Sequence, residues 1–240
     1  MPRARPVPAV SADFDEIRQH LKTVRILSED DDSEKINLIR RVHTYTYSLF
    51  SWHARLDTLP EHASPFIEEI ASDAIQILPH LLLGYSKALK LLVRGILENS
   101  LRFVYFIDHP IEFKLMNTRD KWFISTDKLL DYMRNHPEYV EAGARFDSIQ
   151  KLNNLYDDLS ATIHGRRVRD LQLNSALAEL KYSADRAQKD AKHVQQCAEL
   201  VNFIVVIKMR DNFQKFSVEN KRIILRTLPK LARSIWSEID

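Results

Sequence analysis

One charged pair stands in the most apolar helical segment of the sequence, residues 81–108. Arg94 and Glu98 are four residues apart there, so their side chains can meet on one face of a helix. An exposed pair of this kind contributes about 0.2–0.5 kcal/mol. A buried pair is costly to desolvate unless it is well hydrogen-bonded, and it tends to persist for specificity or function. The pair is therefore either part of a binding site or a structural salt bridge.

The polar residues of this segment share one side of the helix. At about 100° per residue, Lys87, Arg94, Glu98 and Tyr105 fall on one narrow stripe. The rest of the circumference is apolar, which is typical of a helix inside a bundle. A central helix with a single charged stripe is either a ligand-facing wall or a lightly solvated seam.

A second polar row follows on the segment 145–164. Ser160 and His164 are four residues apart and share one helical face, beside an inward apolar stripe that includes Tyr156. His164 stands at the end of the segment, where the partial negative charge of a helix C-terminus favours imidazolium. It is a candidate for proton transfer, and the alternative is a surface or capping histidine. Tyr156 fits core packing better than catalysis.

A basic cluster comes directly after Gly165 and consists of Arg166, Arg167 and Arg169. Side chains of this type contact phosphates in protein–nucleic acid complexes. The alternative is a solvated turn, which needs these residues only for solubility.

Several familiar chemistries have no motif in this sequence. There is no Gly-rich phosphate loop, no nucleophile elbow and no His-Glu-x-x-His helix. Cys197 is the single cysteine, so neither an intrachain disulfide nor a cysteine-based zinc site can form within one chain. We therefore expect no metal and no cofactor.

Composition indicates a helical, soluble protein. The 240 residues are 45% hydrophobic and 28% charged, with a net charge of +2, so attraction to nucleic acid has to be local. Only four glycines are present, too few for the many tight turns of an all-β protein. The N-terminus lacks the apolar run of a signal peptide, and the most apolar window, residues 75–97, holds three basic residues. We expect a cytoplasmic protein with no membrane partner.

Periodicity predicts an all-α fold of about eight helices in a single domain, residues 13–240, after a disordered lead-in, residues 1–12. Asp31 and Glu34 have the form of a capping box, and Ser64-Pro65 that of a helix start. Pro79 is expected to kink or end the third helix. We expect an irregular loop over residues 111–125 and an interruption at Gly143. One long helix is expected over residues 174–216.

The stretch Leu200–Ile207, LVNFIVVI, is apolar on every helical face. One bundle partner does not readily cover such a surface, which favours a homodimer.

Two segments together resemble a known superfamily. GYSKALKLLVRGILENSLRFVYFIDHP contains Arg-x-x-x-Glu on an apolar helix, and NNLYDDLSATIHGR contains Tyr-x-x-x-Ser-x-x-x-His-Gly. The combination, over residues 81–169, resembles the HEPN-like helical proteins of prokaryotes. It is most similar to their branches with an Arg-x-x-x-Glu helix and a Leu-Ser-x-x-x-His ending.

The resemblance implies an all-α bundle that is often dimeric. Many relatives are metal-independent ribonucleases of toxin–antitoxin or phage-defence systems, in which a His acts as acid or base and an Arg acts on the phosphate. Others bind nucleotides or partner proteins. In the active branch an Arg precedes the His by four to six intervening residues; here no Arg stands there before His164, whereas Arg186 and His193 have that spacing. Arg94 could supply the guanidinium from the neighbouring helix.

Three hypotheses follow from these features. In the first, an RNA-cleaving effector, Arg94 holds the scissile phosphate and His164 transfers the proton. Glu98 orients Arg94, and Ser160 and Tyr156 support the pocket. The RNA contacts are then Lys87, Arg166, Arg167 and Arg169.

The second hypothesis is a non-catalytic module that binds a nucleotide or a protein partner, such as an antitoxin or a defence-system component. The third is a structural subunit. Convergence of Arg94 and His164 on one open cleft would favour the first two, and burial under Trp122 and Phe123 would favour the third.

Overall fold

The computed structural model describes residues 8–28, 33–165, 168, 174, 176, 179–229 and 232–233. Within these ranges the chain forms eleven α-helices and one short 3₁₀ helix, and it contains no strand. The predicted all-α class is confirmed, and the helix count is higher than the eight expected. No helix in the described ranges has the length and hydropathy needed to cross a membrane.

The helices vary in length from five to 25 residues. They are α1 (Pro8–Thr23), α2 (Ser33–Phe50), the 3₁₀ helix (Ser51–Thr58), α3 (Ser64–Leu83), α4 (Ser86–Asp108), α5 (Pro110–Thr118), α6 (Thr126–Asn135), α7 (Pro137–Phe146), α8 (Ser148–His164), α9 (Ala184–Lys208), α10 (Arg210–Gln214) and α11 (Val218–Thr227).

Helix α4 lies at the centre of the bundle and packs against α3, α9, α8 and α6. Its apolar residues are almost fully buried, among them Leu89, Val93, Ile96, Leu97 and Phe103. One hydrophobic cluster joins these side chains to residues of the first and last helices. The nearly all-round apolar sequence of α4 is thus matched by neighbours on several sides.

The break between α3 and α4 falls at Gly84 rather than at Pro79. Pro79 lies inside α3, which continues for four more residues. Gly84 then adopts the left-handed conformation, with φ of 76°, and a β-carbon there would overlap the carbonyl oxygen of Lys181. Only glycine meets both conditions without strain. Ser64 begins α3 as predicted, but no side-chain cap is formed at that helix end.

The segment after α4 is more regular than predicted. Pro110 begins α5, so the expected irregular loop over residues 111–125 is wrong for its first half. Proline fits the first turn of a helix because its missing N–H would have no partner there. Trp122 is half-buried, with its ring 6.2 Å from that of Phe106, whereas Phe123 is 81% exposed.

Other boundaries also differ from the prediction. Helix α1 begins at Pro8, so the lead-in is shorter than twelve residues, and Gly143 lies within α7 without interrupting it. Asp147 has a φ of 51°, a conformation that Asp tolerates better than most residues, and α8 begins after it. The predicted long helix over residues 174–216 is replaced by α9 and α10. Asp31, of the expected capping box, lies outside the described residues.

The apolar stretch Leu200–Ile207 is covered within one chain. It lies in α9, which packs against α2, α4, α8, α7 and α11. Residues 200–206 are at most 3% exposed. The stretch therefore no longer supports a homodimer, which stays a prediction from the resemblance alone.

Asn202 is a polar side chain inside that stretch, and it is fully buried. Its Oδ1 accepts a hydrogen bond from Nε1 of Trp52 at 2.8 Å. Its Nδ2 donates to Oγ of Ser48 and to Oγ1 of Thr227, each at 2.7 Å. The amide thus has a partner for each function and joins α9 to α2, the 3₁₀ helix and α11.

We expect Asn202→Leu to lower the free energy of unfolding by about 1–3 kcal/mol, because the buried N–H of Trp52 loses its acceptor. Trp52→Phe removes the donor of the same hydrogen bond. The loss of unfolding free energy in the double variant should therefore be smaller than the sum of the two single losses. Urea denaturation measures all three. Asn117→Leu, at an exposed helical position, is the control and should change stability by less than about 0.5 kcal/mol. Additive effects of the two core changes would contradict the proposed coupling.

A carboxylate lies where α3 and α4 pack most closely. A β-carbon at Gly95 would stand 2.8 Å from Oδ2 of Asp73. Burial, with a contribution from the carboxylate of Glu69, raises the pKa of Asp73 from 3.8 to about 6. The folded state therefore holds this proton more tightly than the unfolded chain does.

This shift predicts a pH-dependent difference between the protein and its Asp73→Asn variant. The contribution of Asp73 to stability is fully present below a pH of 3.8 and is lost as the pH rises through about 6. Asp73→Asn should therefore raise the melting temperature at neutral pH and have little effect near pH 4. Asp15→Asn, at an exposed position of α1, is the control. An equal effect of Asp73→Asn at both pH values would contradict the expectation.

Candidate functional site

Arg94 and Glu98 form the predicted contact on α4. Nε of Arg94 donates to Oε1 of Glu98 at 2.9 Å, and the two side chains are 22% and 20% exposed. Arg102, one turn further along, has its Nη2 3.9 Å from the other carboxylate oxygen. The pair is therefore half-buried, between the two cases that the sequence left open.

Tyr156 of α8 completes a ring of hydrogen bonds with this pair. Its hydroxyl accepts from Nη2 of Arg94 at 2.7 Å and donates to Oε1 of Glu98 at 2.9 Å. The guanidinium carbon of Arg94 also lies 4.8 Å from the centre of the tyrosine ring. Oγ1 of Thr126, at the start of α6, is 3.3 Å from the same hydroxyl. Three helices thus hold the Arg94 side chain in place.

His164 contacts the outer part of the same guanidinium. Nη1 of Arg94 lies 2.9 Å from Nε2 of His164, whose side chain is exposed. Because arginine can only donate, Nε2 is the acceptor and carries no proton in this arrangement. The end of α8 favours imidazolium, as the sequence predicts, but the contact with Arg94 requires the neutral ring. Its remaining proton is then on Nδ1, which leaves the Nε2 lone pair directed at the charged centre.

The charge of Arg94 is secure in these surroundings. Burial on its own would lower the pKa of Arg94, but the hydrogen bonds and charges of Glu98 and Tyr156 outweigh burial and raise it. Three of the five N–H groups of a guanidinium have acceptors on these described residues. One N–H on Nη1 and one on Nη2 have no acceptor among the described residues.

Ser160 lies one turn from both Tyr156 and His164 on α8. It is 2% exposed, and its Oγ has no hydrogen-bond partner among the described residues. A buried hydroxyl without a partner is unfavourable. The structure therefore places Ser160 beside the cluster but gives it no contact with Arg94.

The predicted RNA contacts are only partly described. Lys87 is exposed and lies two turns before Arg94 on α4. Arg166, Arg167 and Arg169 lie outside the described residues. His193, of the alternative Arg186 and His193 spacing, has its Nε2 2.8 Å from Oδ2 of Asp158.

Lys90 and Thr162 were not predicted as part of this site. Nζ of Lys90 donates to Oγ1 of Thr162 at 3.2 Å, which adds a contact between α4 and α8 one turn before Arg94. The four-residue spacing of Lys90 and Arg94 is visible in the sequence and could have revealed the lysine. Thr162 and Thr126 carry no comparable signal.

The meeting point of Arg94 and His164 lies at the surface. His164 is exposed and Phe123 is 81% exposed. Arg94 and His164 are therefore not sealed beneath the segment that carries Trp122 and Phe123. Tyr156 also lines a groove of about 510 Å³ with Asp127, Asp157 and other polar residues. Among the described residues, no group of three His, Cys, Asp or Glu side chains could hold a metal ion.

No family model matches this chain, and neither the curated proteins nor the solved structures gave a match. The resemblance to HEPN-like proteins therefore stays a prediction that rests on the two sequence motifs.

We expect Glu98→Ala to lower the free energy of unfolding by about 1–3 kcal/mol, because Nε of Arg94 and the hydroxyl of Tyr156 lose their shared acceptor. Removing one partner of a fully buried ion pair costs about 3–5 kcal/mol. The loss in Glu98→Ala should stay below that range. Arg102→Ala removes the more distant cation of the same carboxylate and should change stability by less than about 1 kcal/mol. Equal losses in the two variants, measured by urea denaturation, would show that Glu98 does not anchor Arg94.

Proposed function

We propose that this protein is an RNA-cleaving effector that works without a metal ion. The observation that carries the proposal is the contact of 2.9 Å between Nη1 of Arg94 and Nε2 of His164. It brings a fixed cation and a neutral imidazole together at an exposed point of the bundle. Cleavage of a phosphodiester is accelerated by a cation that stabilises the negative charge and by a group that transfers a proton, and these two residues can fill both roles.

Arg94 is suited to hold the scissile phosphate. Glu98 and Tyr156 fix its orientation, so little conformational entropy is lost when a ligand binds. Nη1 and Nη2 each have one unused N–H group among the described contacts, and arginine commonly binds phosphate through two N–H groups. Ser160 and Tyr156, both on α8, would support the pocket around Arg94.

His164 is suited to act as the general base. The ribose 2′-hydroxyl would give its proton to Nε2, and the 2′-oxygen would attack the neighbouring phosphorus. The bond from phosphorus to the 5′-oxygen then breaks, the 5′-oxygen takes a proton from solvent water, and a 2′,3′-cyclic phosphate forms. Before this step the contact between Nη1 of Arg94 and Nε2 of His164 has to open, which frees the lone pair of Nε2.

The cellular setting of the proposal follows from the resemblance. A ribonuclease of this kind would act in the cytoplasm as part of a toxin–antitoxin or phage-defence system. Its partners would be RNA and a protein that restrains it, and the active form would be a homodimer. Lys87, Arg166, Arg167 and Arg169 would contact the RNA backbone outside the cleavage point.

A non-catalytic module that binds a nucleotide or a partner protein is the second candidate. Two observations favour it. No Arg precedes His164 with four to six intervening residues, and the guanidinium of Arg94 occupies the nitrogen that a general base must keep free. In this function Arg94 and His164 would bind an anionic group without cleaving it.

We expect the purified protein to cleave total RNA in the presence of EDTA, because no set of metal ligands is found among the described residues. His164→Ala and Arg94→Ala should each reduce cleavage by about 10²–10⁴-fold. His164→Ala should hardly change the melting temperature, whereas Arg94→Ala should lower it because Glu98 and Tyr156 lose a shared donor. The double variant should be no worse than either single one, since the two residues act together. His20→Ala, at an exposed position of α1, is the matched control and should be fully active.

Two results would overturn the catalytic proposal. Cleavage that persists undiminished in His164→Ala would show that another group, or a contaminant, transfers the proton. Absence of cleavage by the unaltered protein, together with anion binding that Arg94→Ala abolishes, would favour the binding module.

A further inference from the structure

Three cations stand on one side of α4. Lys87 and Arg94 are seven residues apart and fall within about 20° of each other around the helix axis. Lys90 lies between them, about 40° from Arg94 on the same side. Lys87 is exposed, whereas Lys90 and Arg94 are half-buried. The three side chains thus form a row that leads along the helix to the contact with His164.

Lys90 is held in this row by neighbours from two other helices. Its Nζ donates to Oγ1 of Thr162 on α8 at 3.2 Å. On α9, burial raises the pKa of the Asp190 carboxyl, and the charge of Lys90 is among the influences that oppose this shift. Asp190 is 4% exposed and accepts a hydrogen bond from Oγ of Ser86 at 2.8 Å. The contact with Thr162 limits the freedom that a lysine side chain has on a helix surface.

Lys90 and Arg94 use the same end of α8. Arg94 contacts His164, the last residue of that helix, and Lys90 contacts Thr162, two residues before it. Four residues of an α-helix span about 6 Å, so the backbone positions of Lys90 and Arg94 are separated by roughly that distance along α4. This is comparable to the distance between consecutive phosphates of an extended nucleic-acid strand.

We propose that Lys90 binds the phosphate next to the one held by Arg94, so that an unpaired RNA strand runs along α4. Lys87 binds the following phosphate, one turn further from His164. This inference rests on the proposed ribonuclease function, because Arg94 marks the scissile position. It makes Lys90 a substrate-positioning residue and sets the direction in which the strand crosses the bundle.

The spacing of the row favours a strand over a single nucleotide. The phosphates of a nucleoside diphosphate share a bridging oxygen and are closer together than one turn of helix. Leu91, on the same turn as Lys90 and Arg94, is 49% exposed and offers apolar surface to a sugar or a base. The three cations supply the electrostatic part of binding, which is independent of base sequence.

The experiment measures binding of a short labelled oligouridylate to the full-length His164→Ala protein, which keeps the substrate intact, over a series of salt concentrations. Each lost contact with a single-stranded phosphate should reduce the slope of log K against log salt by about 0.7. Lys90→Gln should produce this decrease and weaken binding at low salt, whereas Lys90→Arg should keep the slope. Lys215→Gln, at an exposed position after α10, is the matched charge control and should change neither quantity.

A purely structural role for Lys90 predicts different results. In that case Thr162→Val and Lys90→Gln would lower the melting temperature by similar amounts. The slope of log K against log salt would then be the same for the two variants. Pyrophosphate that competes as well as an unlabelled oligouridylate would also overturn the spaced-phosphate arrangement.

The binding measurements also distinguish a failure of the Lys90 proposal from a failure of the proposed ribonuclease function. If Arg94→Ala abolishes oligouridylate binding and Lys90→Gln has no effect on it, the inference alone is wrong. If neither Arg94→Ala nor Lys90→Gln changes binding, or if no binding is found, the proposed function is wrong as well.

Discussion

The guanidinium of Arg94 imposes a strict requirement on this bundle. It is carried by the central helix, where a charge without partners would be costly, and α4 alone can supply only Glu98. The hydroxyl of Tyr156 and the imidazole of His164, both on α8, accept two further hydrogen bonds from the guanidinium. Packing of α8 on α4 is thereby tied to one register. A shift by one residue would separate all of these groups.

The same contacts produce a gradient of solvent exposure along the site. Glu98 and Tyr156 lie in the less accessible part, and His164 lies at the surface. The inner hydrogen bonds keep the cation oriented, and the outer end of the guanidinium is open to a ligand. Rigidity and accessibility are therefore provided by different residues of one small cluster. Such an arrangement suits a site that has to recognise an anion without closing over it.

Sequence periodicity was sufficient for the helical class and for the central position of α4, because nearly every face of that helix is apolar. It also predicted the contact of Arg94 with Glu98, since four-residue steps put side chains on a common face, whereas Tyr156 was expected in core packing and instead contacts both. It failed where tertiary packing decides. Pro79 is accommodated inside α3, and the break at Gly84 depends on the close approach of Lys181, which local sequence does not show.

The buried amide of Asn202 joins parts of the chain that are far apart in the sequence. Its partners Ser48 and Trp52 are about 150 residues upstream, and α9 fills the space between α2 and α4. The first four helices consequently cannot complete their core until the ribosome has released residues beyond 200. Until then their apolar faces are open to solvent and to other chains. Completion of this core therefore requires the C-terminal third of the chain, and contacts of such long sequence separation slow folding.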